Sequence, residues 1–190
     1  MEVLLASASP RRRELLGRIC ATFSVVPSGI DETMPPGSPD EAARALALAK
    51  ARAIAADHPA AVVVGADTIV VLDGVVFGKP AGPGDAAATL RRLRGRTHEV
   101  ITGVAVARGE RAAVASVRTR VTMREYSDAE IETYIATGEP LDKAGAYAVQ
   151  ERGAALVARV DGCLTNVVGL PVGTTRQLLA DFGVPVRSEP

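Results

Sequence analysis

Apolar positions along the chain follow two rhythms. Continuous or alternating runs at 3–6, 22–26, 62–72, 75–77, 97–107, 112–124 and 154–160 have the two-residue period or the unbroken apolar character of strands. A helix opening at Pro10, and helical stretches at 40–57, 85–93, 128–137 and 171–183, are predicted. Helix starts are marked by Ser9-Pro10, Pro39-Asp40 and Ser127-Asp128, and stops by His58-Pro59, Arg94-Gly95 and Gly138. Asp73-Gly74 predicts a tight hairpin joining 69–72 to 75–77. The tail at 184–190 is expected to be loose. No repeat and no linker separates independent domains, so a single domain over 1–190 is expected.

One position breaks the pattern. Val62-Val63-Val64-Gly65-Ala66-Asp67-Thr68-Ile69-Val70-Val71 reads as a strand buried on both faces, yet it carries Asp67 and Thr68 in its middle. Asp67 either caps a loop at the strand end or is a buried carboxylate that needs a partner, a metal or a shifted pKa. Gly65 and Ala66 leave room for close approach beside it.

A second candidate lies at the first strand-to-helix turn. Ser7-Ala8-Ser9-Pro10-Arg11-Arg12-Arg13 sets two hydroxyls, backbone N–H groups and several guanidinium groups at one helix N-terminus, an arrangement suited to phosphate. The plainer alternative is an ordinary cap with a solvated basic face. Asp31-Glu32 open a Pro- and Gly-rich loop, either as solvated acids or facing a metal. Lys50 and Arg52, in the C-terminal half of their helix, suit its dipole. Lys79 follows the hairpin, as surface or as a phosphate contact. Gly78-Lys79-Pro80 is not a P-loop, and Gly82-Pro83-Gly84 is not a dinucleotide fingerprint. The irregular segment 139–150 contains Lys143, Tyr147 and Gln150. Gln150 reads either as surface or as a reader of a base edge, and Tyr147 as a core-edge residue or a packing face for a sugar or base.

Composition narrows the classes. Lys and Arg total 22, as do Asp and Glu, so the formal net charge is zero, which argues against a nucleic-acid coat. Aromatics make up only 3%, which leaves the core to Val, Leu, Ile and Ala. The two cysteines, Cys20 and Cys163, are too few and too far apart for a metal set or disulfide framework. His58 and His98 supply no His-based metal site or triad, and His98 is expected on a strand rim. With no membrane-length apolar run and no signal-peptide pattern, a cytoplasmic protein with no membrane or nucleic-acid partner is expected.

Five stretches occur in order: Ser7-Ala8-Ser9-Pro10-Arg11-Arg12, Gly65-Ala66-Asp67-Thr68, Gly78-Lys79-Pro80, Asp142-Lys143-Ala144-Gly145-Ala146-Tyr147 and Val168-Gly169-Leu170-Pro171. Together they resemble the Maf family of nucleoside triphosphate pyrophosphatases over nearly the whole chain. The resemblance implies an α/β fold: a mixed, elongated, curved sheet flanked by helices, in two lobes with a central cleft, similar to the inosine triphosphate pyrophosphatases. It implies hydrolysis of a nucleoside triphosphate to the monophosphate and pyrophosphate with a divalent metal, Mg or Mn. Asp67 becomes the catalytic proton acceptor, with Glu32 and Asp67 as metal ligands. Arg11, Thr68 and Gln150 become the positions that sort substrates. Ser7, Ser9, Arg12, Lys50, Lys79, Lys143 and Tyr147 complete the expected substrate set.

Lys143 and Gln150 match the branch acting on dTTP and UTP rather than the branch acting on 7-methyl-GTP. Gly78 stands where many relatives carry an acid; if that acid helps bind metal in them, either Glu32 and Asp67 or water must carry more of the load here. The family is also associated with septum-formation arrest, so a nucleotide-sensing or partner-binding role is the alternative from another class, and a homodimer is a family expectation.

Overall fold

The computed structural model describes residues 1–187. Its elements run β1 (Val3–Leu5), α1 (Pro10–Ile19), β2 (Ser24–Val25), α2 (Pro39–Asp57), β3 (Val62–Leu72), β4 (Val75–Phe77), α3 (Pro83–Leu93), β5 (Thr97–Arg108), β6 (Arg111–Met123), α4 (Asp128–Ile135), β7 (Val157–Asp161), α5 (Leu164–Val168) and α6 (Val172–Asp181). Three short 3₁₀ turns, at Glu139–Asp142, Ala144–Ala146 and Arg152–Leu156, lie between α4 and β7.

One seven-stranded sheet holds the strands in the order β2-β1-β3-β5-β6-β7, with β4 paired on β3. β1 runs parallel to β2 and β3, and Leu4 is in register with Ser24 and Val63. The β3–β4 and β6–β7 pairs are antiparallel, so the sheet is mixed, as expected, and the class is α/β. The β3–β4 hairpin turns at Asp73 and Gly74, whose φ of 51° and 76° are those of a type I′ turn.

The chain forms two compact units, each assembled from several segments. Unit 1 comprises Met1–Asp67, Thr102–Val117 and the segment from Gly169 onward; unit 2 comprises Thr68–Ile101 and Arg118–Val168. β3, β5 and β6 therefore each belong partly to one unit and partly to the other. Within unit 1 a core of Leu4, Ala47, Ala51, Ile54, Val63, Ala105 and Ala107 is made almost wholly of small aliphatic side chains. Within unit 2 the core includes Leu90, Val100, Val121 and Ile131, together with Tyr126, Tyr134 and Tyr147, all the tyrosines of the chain.

The small side chains of unit 1 have a purpose. A Cβ on Gly65 of β3 would lie 2.3 Å from the Ala47 carbonyl oxygen and 2.7 Å from the Ala51 nitrogen. One on Gly103 of β5 would lie 2.2 Å from the Ala43 carbonyl oxygen. The backbone of α2 thus rests directly on two strands, and its Ala43, Ala47, Ala51 stripe is what permits the approach.

Several boundaries differ from expectation. The strand expected at 22–26 shrinks to two residues, both exposed, because it lies at the sheet edge with only β1 as neighbour. The strand expected from 154 begins at Val157, after the 3₁₀ turn. Pro171 caps α6 rather than opening it, and α5 precedes it. The expected loose tail is docked as far as Arg187, whose N–H donates to the Ile19 carbonyl at 2.9 Å, while Val184 is buried. The rest of that tail, 188–190, lies outside the described residues.

Candidate active site

The turn between β1 and α1 is built by local rules. Pro10 opens the helix with its φ preset, and Ser9 caps it by accepting from the Arg12 N–H at 3.4 Å. The Ser7 hydroxyl accepts from the Ser9 N–H and from Arg12 Nη1, each at 3.3 Å. Arg12 Nε donates to the Gly169 carbonyl at 2.8 Å, tying the turn to the start of the α6 segment. Burial lowers the Arg12 pKa, while the negative charges of Asp67 and Glu32 act in the opposite direction. The guanidinium therefore shares its surroundings with both carboxylates. Arg11, half-buried, stands one residue before it on the first turn of α1. A cavity of about 640 Å³ opens beside the turn, with Ser7, Ser9, Arg13, Glu14 and Phe23 in its wall.

Asp67 closes unit 1 on β3 and is 7% exposed. Its Oδ1 accepts from Lys50 Nζ at 2.7 Å. The same ammonium lies 2.8 Å from Glu32 Oε1, which reaches in from the loop after β2. Lys50 is 4% exposed and lies on the core-facing side of α2 with Ala43, Ala47 and Ala51, so it is held by a buried ion pair as well as suiting the helix dipole. The close rest of α2 on Gly65 brings its stem alongside β3, and a buried cation there requires an anionic partner. Glu32 is more than half exposed, so Asp67 is the partner held out of water.

Unit 2 carries the other expected residues. Thr68 follows Asp67 directly on β3 and is half-buried, and Lys79 is exposed just past β4. Segment 143–150 lies over the β3–β4 hairpin, with the Gly145 N–H donating to the Gly78 carbonyl at 3.1 Å. Gly145 has φ 71°, and a Cβ there would lie 2.9 Å from the Val70 side chain, so only glycine fits. Lys143 is buried and paired with the neighbouring Asp142. Gln150 is exposed in a turn, whereas Tyr147 is 5% exposed with its hydroxyl on His98 Nε2 at 2.8 Å.

The sequence reading missed two residues here. His98, expected on a rim, is 1% exposed because the Thr97–Val100 alternation turns it inward with Val100. Glu139 gathers three donors: the Tyr134 hydroxyl at 2.8 Å, the Gly153 N–H at 3.0 Å and the Arg152 N–H at 3.1 Å.

The donor set bears on a metal. Glu32 and Asp67 present hard carboxylate oxygens to one point that already accepts a cation, the Lys50 ammonium. Among the described residues no group of three or more His, Cys, Asp or Glu side chains could hold a metal ion. Two carboxylates fit a magnesium-like ion whose remaining positions are taken by substrate phosphates and water, and they do not make a cage of protein ligands.

The mixed α/β sheet thus carries, in one unit, a first turn with hydroxyls and arginines at a helix start and a lysine-bridged pair of carboxylates, Glu32 and Asp67. The chain matches the family described as Maf-like protein over residues 2–182, and it belongs to that family. A Moorella thermoacetica protein named dTTP/UTP pyrophosphatase is 55% identical over 191 residues, covering 97% of each chain. A Pelotomaculum thermopropionicum protein of the same name is 50% identical over 188 residues, covering 97% of this chain and 98% of its own. In fold, the chain is similar to the solved structure of the Staphylococcus aureus Ham1 protein, with a TM-score of 0.56 at 14% identity over 96% of this chain and 100% of that one. No helix among the described residues is long and apolar enough to cross a membrane.

Proposed function

We propose that this chain, working as a single domain in the cytoplasm, is a nucleoside triphosphate pyrophosphatase that converts dTTP and UTP to the monophosphate and pyrophosphate. The observation that carries the reading is the placement of Asp67, Lys50, Glu32 and Arg12 in one electrostatic neighbourhood. Relatives of about half identity over nearly their whole length, named for this activity, support the same substrates.

The reaction requires a water to attack the α-phosphorus, the α–β bridging P–O bond to break, and the water's proton to be accepted. Lys50 holds Asp67 Oδ1, and the carboxylate's other oxygen takes the proton from the attacking water. Ser7, Ser9, Arg11 and the N–H groups opening α1 cradle phosphate oxygens, and Lys79 adds positive charge for the departing pyrophosphate. Arg12 orients the cradle through Ser7 and Gly169. Glu32 and Asp67 would hold a Mg or Mn ion, which supplies charge neutralisation at the phosphates when bound. Thr68, Lys143 and Gln150 read the nucleobase and sugar, and Tyr147 backs the segment that carries them.

The test is pyrophosphate release from dTTP, UTP, CTP and 7-methyl-GTP with added Mg or Mn. Turnover concentrated on dTTP and UTP is expected. Preference for 7-methyl-GTP overturns the substrate assignment, and tight binding without turnover of any of the four overturns the enzymatic one.

A further inference from the structure

We propose that His98, which lies outside every expected substrate contact, is a positioning residue for pyrimidine recognition: through its hydrogen bond to Tyr147 it holds segment 143–150 in the shape that reads the base. The proposal rests on the reading of that segment given above.

The segment has little regular structure to hold it. Gly145 and Ala146 both have positive φ, 71° and 58°, and Ala146 adopts that region without the freedom of glycine. Such backbone persists only where its surroundings over-determine it. Two buried polar tethers do so here. Glu139 accepts from the Tyr134 hydroxyl, which in turn accepts from the Ala148 N–H at 3.1 Å. On the other side His98 Nε2 meets the Tyr147 hydroxyl at 2.8 Å, with the two rings edge to face at 5.4 Å.

The tether from His98 has a cost that packing alone does not explain. Nδ1 of His98 is buried with no hydrogen-bond partner. A buried unsatisfied nitrogen is unfavourable, and an apolar ring in this core would avoid it. Burial also pushes the imidazole pKa down to about 4, so it is neutral at physiological pH, with one nitrogen for Tyr147 and the other idle. An imidazole kept at such a place is explained by what Nε2 does, which is to fix the Tyr147 hydroxyl. Tyr147 begins the strained stretch's return to extended backbone, at φ −151° and ψ 160°, three residues before Gln150.

The experiment compares His98→Phe, Tyr147→Phe and the double variant with the wild type, by steady-state kinetics on UTP and dTTP and by thermal unfolding. Each single variant leaves one buried polar group without its partner, whereas the double variant leaves none. The double should therefore unfold at the wild-type temperature. All three should nevertheless show KM raised by about three- to tenfold, the size of one buried hydrogen bond, with kcat within about twofold, the pattern of lost substrate binding rather than lost chemistry. His98→Gln, whose amide can either donate to or accept from the Tyr147 hydroxyl, should recover most of the KM.

A double variant that regains both stability and wild-type KM overturns the proposal, because His98 would then be structural only. Unchanged KM in every variant, or reduced kcat at constant KM, overturns it as well. If the wild type turns over neither nucleotide, the pyrophosphatase reading fails separately. Hydrogen exchange at amides 144–150 then decides: faster exchange in the double variant supports the positioning role, and unchanged exchange overturns it.

Discussion

Replacing Lys50 with Met tests whether the Lys50–Asp67 contact is the electrostatic centre of unit 1. Methionine keeps a flexible stem of similar reach and removes only the ammonium. Glu32, with its side chain 53% exposed, can turn to water. Asp67, with its side chain 10% exposed, cannot. Removing one partner of a buried pair costs about 3–5 kcal/mol, because the remaining charge is left uncompensated. The positive charge of Arg12 also acts between these groups and offsets part of that loss, so the expected cost is the low end, about 3 kcal/mol. With a urea m-value of roughly 1–3 kcal/mol/M, the unfolding midpoint followed by circular dichroism should fall by about 1 M or more. Adding Asp67→Asn to Lys50→Met removes the stranded charge and should recover most of the midpoint. A Lys50→Met variant within about 1 kcal/mol of wild type, or a double variant no more stable than the single, refutes the reasoning.

Asp67→Asn alone leaves Lys50 to the half-exposed Glu32 and so should lose stability, but the folded fraction should still show kcat lower by at least about 10²-fold, the low end for a lost general base; near-wild-type turnover in a folded variant removes Asp67 from that role. Gly65→Ala should destabilise by about 1–3 kcal/mol, since its Cβ meets α2 backbone rather than a movable side chain, and urea unfolding measures it. It should also slow turnover by moving Lys50 away from Asp67. The pH dependence of His98 has a definite sign. Its folded pKa of about 4 lies below the ordinary 6.5, so the unfolded chain binds the proton more readily, and the stability present above pH 6.5 is lost as pH falls towards 4. The difference of about 2.5 units corresponds to about 3 kcal/mol. Unfolding midpoints at pH 7, 5 and 4 should therefore fall less steeply in the apolar His98→Phe/Tyr147→Phe variant than in the wild type; parallel curves count against a buried neutral imidazole.

Asp67 was legible because a carboxylate stands out in a run of β-branched residues, and the turn at Ser7–Arg12 because cap, proline and arginines obey local rules. The Asp73-Gly74 hairpin was equally local. The burial of Lys50 had a signal in periodicity: counted from Ala43 and Ala47, it falls on the same helix face as Ala51 and points inward. His98 had a comparable signal, since the period of two pairs it with Val100 rather than with the exposed Thr97. Glu139 had none. Its three donors come from Tyr134, Arg152 and Gly153, and only the folded path of an irregular segment brings those groups together.

The strands shared between the two units have a consequence for the history and engineering of this chain. The chain passes between units at Asp67–Thr68, at Ile101–Thr102, at Val117–Arg118 and again at Val168–Gly169. No single cut releases either unit whole, so neither could be borrowed, duplicated or swapped by a one-point recombination. A hybrid carrying a relative's segment between α4 and β7 must instead be grafted at both ends, where the exchange leaves every shared strand uninterrupted.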